Sequence, residues 1–314
     1  MNLQPSYTKR NSADATNAAN VLLCDLIDYA GLFPPASLAM APAVANYDAY
    51  SRSQWNWILG RFIVPVARLG EFEEALGGLP AAIGTGFAWR LSVLMGPDVI
   101  VDEARIREFD DRVMSYSSGR TAVIESVEVK VTSVEEITGL SAIIPARLAV
   151  YFEFPLPNCA EYVSAVASCG RRAKIRTGGE MGDKFPAPAS VIEFIRLCGT
   201  ANVPFKATAG LHHPLRSVHR FTYQADSASG IMHGFVNLFL AAAFLRAGMD
   251  AKVAVQLLDE QSPEALRFDR DGVGWREDWL NRDEIATARR NFAVSFGSCS
   301  FTEPIEDLRS LHLL

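Results

Sequence analysis

The feature that most restricts the fold is a rhythm, in which a short β-rich run, a turn and an amphipathic stretch recur along the chain. Runs at residues 26–29, 62–66, 90–94, 122–129, 148–154, 173–177 and 204–208 have the length and the β-branched or aromatic content of strands. Between them lie stretches with helical spacing, such as VDEARIREFDDRVMS, SVEEITGLSAI and SVIEFIRLCGTAN. Strands that alternate with helices imply right-handed crossovers and a parallel sheet. An eighth run is read at residues 293–296, after the helical stretch NRDEIATARRNF. Eight such units imply an α/β fold closed into a (β/α)8 barrel. A doubly wound open sheet is the alternative for the same alternation.

About eighty residues separate the seventh run from the eighth, and they contain RFDRDGVGWR. Asp271-Gly272 between alternating flanks is a type I′ hairpin signal. A hairpin is antiparallel, so this segment reads as an insertion between strands seven and eight. The same insertion carries the most apolar stretch of the chain, FVNLFLAAAFL. Its uninterrupted part, from Leu238 to Leu245, is too short to span a bilayer and reads as a buried helix. His233, just before it, reads as a cap or packing residue.

At 314 residues with 49% hydrophobic and 21% charged side chains, the chain can bury the core of one barrel. Residues 1–314 therefore read as one domain, with roughly the first 20 residues a polar extension lacking the apolar run of a secretion signal. Five cysteines without a C-x-x-C pair signal neither a disulfide framework nor a zinc knuckle, which favours a reducing, cytoplasmic setting. A net charge of -6 argues against a nucleic-acid partner, since no basic face is provided for phosphates. No membrane partner and no cofactor are expected, and a homo-oligomer is left open.

In a barrel of this kind function sits at the C-terminal ends of the strands. The chemistry-bearing residues there are Asp28, Glu128, Glu153, Lys174, Arg176, Lys206, His212 and His213. Side chains alternate along a strand, so Lys174 shares a face with Arg176, and Lys206 shares one with Thr208. Pointed inward, these cations crowd a space of low dielectric, with Glu128 and Glu153 as counter-ions. One reading is an ion-pair lattice across the barrel mouth with no chemistry of its own. The other is Schiff-base formation, in which desolvation and a neighbouring cation favour the neutral amine that attacks a carbonyl.

Several stretches, in order along the chain, resemble the deoxyribose-phosphate aldolase family of (β/α)8 class I aldolases. LIDYAGLFPPA is similar to that family's first strand, ESVEV to its fourth, VYFEF to its fifth and AKIRTGG to its Schiff-base strand. PFKATAGLHHP is similar to the seventh strand, which carries the activating lysine, and SFGSCS to a Phe-Gly-Ala-Ser-Ser turn that helps to hold substrate phosphate. The resemblance implies a lyase-like activity on a small aldehyde or ketone, with Lys174 as nucleophile and Lys206 as the cation that favours its neutral form. It further implies Glu128 as proton shuttle and Asp28 as its support. Arg176, Glu153, Thr208, Gly210, His212, His213, Gly297, Ser298 and Ser300 are the expected substrate-binding set. Departures are also present: Glu128 stands where the family has an aspartate, Arg176 is an added cation, and GLHHP replaces a glycine pair.

Two other readings come from the same residues. His212 and His213 with Glu153 would suit a metal-assisted lyase or hydrolase, although no His-x-His or His-x-x-x-His spacing supports a metal. A catalytically silent barrel could instead hold a small anion through Arg176 and Lys206. At the last turn, Ser298 and Ser300 lead into TEPIEDL, with Pro304 read at its first helical position. Glu303, Glu306 and Asp307 lie in or beside that first turn, so the turn is expected to prefer a carboxylate or hydroxyl group to a phosphate.

Overall fold

In the computed structural model, which describes residues 17–80, 88–113 and 121–314, eight parallel strands close into a barrel. The barrel strands are β1 (Ile27–Tyr29), β2 (Leu59–Pro65), β3 (Ala88–Leu94), β4 (Thr121–Lys130), β5 (Ala149–Glu153), β6 (Arg172–Arg176) and β7 (Phe205–Thr208). The chain then adds two small sheets before the barrel closes. These are the hairpin β8 (Ser217–Arg220) and β9 (Ser229–Met232), and the three-stranded β10 (Leu266–Phe268), β11 (Gly272–Trp275) and β12 (Asp278–Asn281). The last barrel strand is β13 (Ala293–Ser298), which pairs in parallel with both β1 and β7. The expected (β/α)8 architecture, with a hairpin-bearing insertion between its seventh and eighth strands, is the observed one.

The helices are α1 (Ala18–Leu23), α2 (Met40–Ser51), α3 (Leu69–Gly77), α4 (Val99–Val113), α5 (Val134–Ile143), α6 (Cys159–Ser168), α7 (Pro188–Thr200), α8 (Phe235–Arg246), α9 (Ala251–Leu258), α10 (Arg282–Asn291) and α11 (Thr302–Ser310). Local chemistry starts several of them. Ser133 and Glu136 form a capping box on α5, and Asn281 and Glu284 form another on α10, each satisfying amides that the first turn leaves without partners. Helix α8 is buried from Phe235 to Phe244, as its unbroken apolar run requires. Asn237 is tolerated there because its amide donates to Leu257 O and Glu260 O and accepts from Arg216 N–H. Among the described residues no helix is long and apolar enough to cross a membrane.

Three sequence expectations shift. Helix α1 begins at Ala18, with Asn17 as its cap, inside the stretch read as a polar extension. The rest of that stretch, and residues 114 and 115 of the fourth helical stretch, lie outside the described residues. The two-residue hairpin turn is not at Asp271-Gly272. There, the Asp269 carboxylate accepts the amides of Asp271 and Gly272 and shapes a longer loop between the paired residues Phe268 and Val273. The tight turn falls instead between the paired residues Trp275 and Asp278, with Arg276 at a positive φ of 52°. Pro304 is the third residue of α11, where its missing N–H still has no intrahelical partner to lose.

Candidate active site

Strand register brings the charges together. Glu153 on β5 is level with Lys174 on β6, and Lys174 is level with Lys206 on β7. All three face the barrel interior, where Glu128 and Asp28 meet them from β4 and β1. Lys174 Nζ lies 2.8 Å from Glu128 Oε2 and 2.7 Å from Glu153 Oε2. Lys206 Nζ lies 2.5 Å from Glu128 Oε1 and 2.7 Å from Asp28 Oδ2. Glu128 thus bridges the two lysines with one oxygen each.

Buried charges are sustained only when they are paired and their remaining lone pairs are satisfied. Ser92 donates to Glu128 Oε1 at 2.7 Å, and Ser126 donates to Ser92 at 2.8 Å. Ser295 donates to Asp28 Oδ2 at 2.8 Å, and the Arg61 backbone N–H donates to Asp28 Oδ1 at 2.7 Å. This last contact needs glycine at position 60, since a Cβ there would lie 2.3 Å from Asp28 Oδ1. The face of the Tyr151 ring, 5.5 Å from Lys206 Nζ, adds a further contact to that cation. Ser92, Ser126, Ser295, Arg61 and Tyr151 were not singled out by sequence reasoning. The available signal was a serine within an apolar strand, two residues before the acid in SVE and two before the glycine in SFG.

Electrostatics follow from this geometry. Burial alone would raise the Glu128 pKa, but the two ammonium groups hold it far below the usual carboxylate range. For Asp28 burial also pushes upward and is outweighed by Lys206 and then Arg61, leaving the carboxyl ionised. Glu153 is likewise lowered, against burial, by Lys174 and then Arg176. Burial would lower the Lys206 pKa, yet Asp28 and Glu128 raise it above the ordinary lysine value. Lys206 is therefore a fixed cation.

Above these groups opens a cavity of about 560 Å³. Lys174, Glu128 and Glu153 line it, with Ile63, Leu94, Thr208, Gly210 and Gly297 among the walls. Lys206 and Asp28 do not line it, being 1% and 0% exposed beneath the others. Gly210 has a positive φ of 72° and passes so close to Gly178 that a Cβ on either would lie 2.8 Å from the other's Cα. Arg176 shares a face with Lys174 as alternation requires, but its side chain is 55% exposed at the rim, where Nε is 3.3 Å from Glu153 Oε1. It is not part of the buried crowd of cations; the further cation near the two lysines is the half-buried Arg61, whose Nη1 lies 3.8 Å from Asp28 Oδ1.

The loop histidines are arranged otherwise. His212 lines the cavity, and its Nδ1 is 3.2 Å from Glu303 Oε2. Burial would lower its pKa, but contacts with Cys299 and the ionised Glu303 raise it to about 9. His213 turns away from the cavity, pairing with Asp307 through Nδ1 at 2.6 Å and stacking on His219. Ser298 and Ser300 do not line the cavity either; Ser300 Oγ accepts the Glu303 amide at the start of α11. His233 is a packing residue, held between Arg216 and the Pro186 carbonyl. Among the described residues no group of three His, Cys, Asp or Glu side chains is placed to hold a metal ion.

No family model matches the chain, and no curated protein matches it.

Proposed function

We propose that this barrel is a lyase-like enzyme that forms a Schiff base between Lys174 and a small aldehyde or ketone, for aldol-type cleavage or formation of a carbon–carbon bond. One observation carries the reading. Of the two lysines bridged by Glu128, Lys174 borders the cavity, whereas Lys206 lies beneath it between two carboxylates. Barrels of this architecture hold their active sites at this end.

The arrangement provides each proton movement that imine formation needs. Lys174 must first lose a proton, and Glu153 and Glu128 lie within hydrogen-bond distance to accept it. As the ammonium becomes neutral, the cation that depresses both carboxylates is lost, so their affinity for that proton rises as it arrives. The amine lone pair then adds to the carbonyl carbon, and the carboxylic acid returns its proton to the carbonyl oxygen. Loss of that oxygen as water, with a second proton, leaves the iminium. The iminium draws the electron pair of the bond between the α and β carbons into an enamine as that bond breaks. The β-hydroxyl gives its proton to a carboxylate to become a carbonyl; in the reverse direction the enamine supplies the carbanion equivalent that forms the bond. Throughout, Lys206 stays charged and holds Glu128 in place.

The test is borohydride reduction in the presence of a panel of small carbonyl compounds, read by intact mass. Reduction is expected to add the mass of one substrate less its carbonyl oxygen, and Lys174→Arg, which keeps the charge but cannot form the imine, is expected to abolish the adduct. Absence of an adduct with every carbonyl would overturn the proposal.

A further inference from the structure

Resting on that reading, we infer that the substrate carries a carboxylate, separated from its reacting carbonyl by a few methylenes, and that Arg176 receives it. The observation is an arginine fork left open beside the candidate nucleophile. Arg176 touches Glu153 only through Nε, at 3.3 Å, and its two terminal nitrogens have no hydrogen-bond partner among the described residues. Glu153 uses its other oxygen on Lys174, so one carboxylate joins the nucleophile to the open guanidinium.

The two sides of the mouth differ in how their charges are paired. On the β8-hairpin and α11 side, Glu303 is held ionised, mainly by His212, while Tyr223 also donates to it and the Glu303 amide is already taken by Ser300. An anion arriving there would meet His212, which lines the cavity and is already paired with that carboxylate. Over β4 to β6 Arg176 and Lys130 line the wall, and Lys184 joins them from a short turn that also packs on the hairpin, against Glu180 and the Asp183 that pairs with Lys184. Lys130 and Arg176 stand at the ends of β4 and β6, with Glu153 on the strand between them. The site also continues in this direction. Lys130, Glu153, Arg176 and Lys184 line both the cavity above Lys174 and a neighbouring groove of about 710 Å³. A substrate lying across the mouth therefore finds the open guanidinium fork, and its free space, over β4 to β6.

Spacing sets the substrate class. Lys174 and Arg176 are two residues apart on one strand, roughly 6.6 Å of rise. At about 1.5 Å per bond, and counting about 4 Å for the carboxylate C–O bond and its hydrogen bond to the guanidinium, a carboxylate directly attached to the carbonyl falls short of that span, whereas one displaced by two or three methylenes covers it. A planar guanidinium matches a carboxylate through two parallel hydrogen bonds, which a lysine cannot reproduce. The cavity volume is within the roughly 300–1,000 Å³ range of small-molecule sites and leaves room for such a chain.

The experiment compares borohydride trapping of butanal, pyruvate and 4-oxobutanoate at subsaturating concentration, alongside calorimetry of butyrate and butyramide, neither of which can form an imine. The expected results are at least tenfold more efficient trapping of 4-oxobutanoate than of butanal or pyruvate, and binding of butyrate in preference to butyramide. Arg176→Gln is expected to reduce both preferences to near unity, and Arg176→Lys to restore them only in part. Equal trapping of 4-oxobutanoate and butanal, or a preference that survives Arg176→Gln, would overturn the inference. If nothing is trapped but butyrate binds through Arg176, the Schiff-base reading falls and the carboxylate site stands. If butyrate shows no dependence on Arg176, the site falls whatever the trapping result.

Discussion

Two clusters of charge occupy the same barrel, one buried and one partly exposed, and they use different cations. Toward the N-terminal ends of β2 to β4, Arg90 bridges Asp25 and Glu125, and Arg61 Nε lies 2.9 Å from the same Glu125. Toward the C-terminal ends, Lys174 and Lys206 share Glu128. Asp28 connects the two levels, accepting from Lys206 on one oxygen and from the Arg61 amide on the other. None of Arg61, Arg90, Asp25 and Glu125 lines the cavity above Lys174. An arginine keeps its proton in any protein, so the lower cluster can only hold strands together. A lysine can give its proton up, and one of the two upper lysines faces open space. Ion pairing by itself therefore marks neither cluster as functional; the kind of cation and the cavity above it distinguish them.

Glu128→Gln should separate the clusters most sharply. It leaves two buried ammonium groups without the charge they share, so a loss of about 3–5 kcal/mol in urea unfolding is expected, together with at least a hundredfold slower trapping. A variant that folds and traps normally would show that Glu128 is dispensable to both roles.

Lys206→Met comes next and probes the fixed cation alone. Most of the packing is kept, and Glu128 then faces Lys174 as its remaining ammonium. The pH–rate profile of trapping is expected to move to the alkaline side, with activity retained at high pH. An unmoved profile would assign that electrostatic role to Arg61 or to burial.

In the lower cluster Glu125→Gln should cost about 1–2 kcal/mol, between the values for buried and surface pairs, because Glu125, Arg61 and Arg90 are partly exposed. Trapping should stay within a factor of about two. A large loss of trapping at unchanged stability would break the distinction between the clusters.

A pH dependence concerns His212, whose folded pKa of about 9 exceeds its ordinary value of 6.5. A raised pKa stabilises fully below the unfolded value and is lost as pH rises through the folded one. The melting temperature should therefore fall between pH 6.5 and 9, by roughly 2–4 °C per kcal/mol lost, and Glu303→Gln should flatten that decline. A decline of the same size in the variant would assign it to other groups.

The barrel was legible because parallel strands are buried on both faces and appear as short apolar runs at regular spacing. Register and alternation then placed Glu128, Glu153, Lys174 and Lys206 at one end. Depth was less legible: alternation gave Arg176 the correct face, but the strand ends there and the side chain reaches the rim. Arg61 was passed over because it stands one residue before the run read at 62–66 and resembled its polar boundary. Ser92, Ser126 and Ser295 act only through neighbours distant in sequence, which no local pattern reveals. The hairpin of β8 and β9 was missed since SVHR and SGIM are short and carry no turn dipeptide between them. The tight turn at Arg276 has no glycine to announce it.

The central claim is that of the paired lysines the one facing the cavity is the nucleophile, and peptide mapping of the borohydride-reduced adduct tests it most directly. The added mass is predicted on the peptide containing Lys174, with the Lys206 peptide unmodified. An adduct on Lys206 would contradict the account, because that amine lies between Asp28 and Glu128 and does not border the cavity.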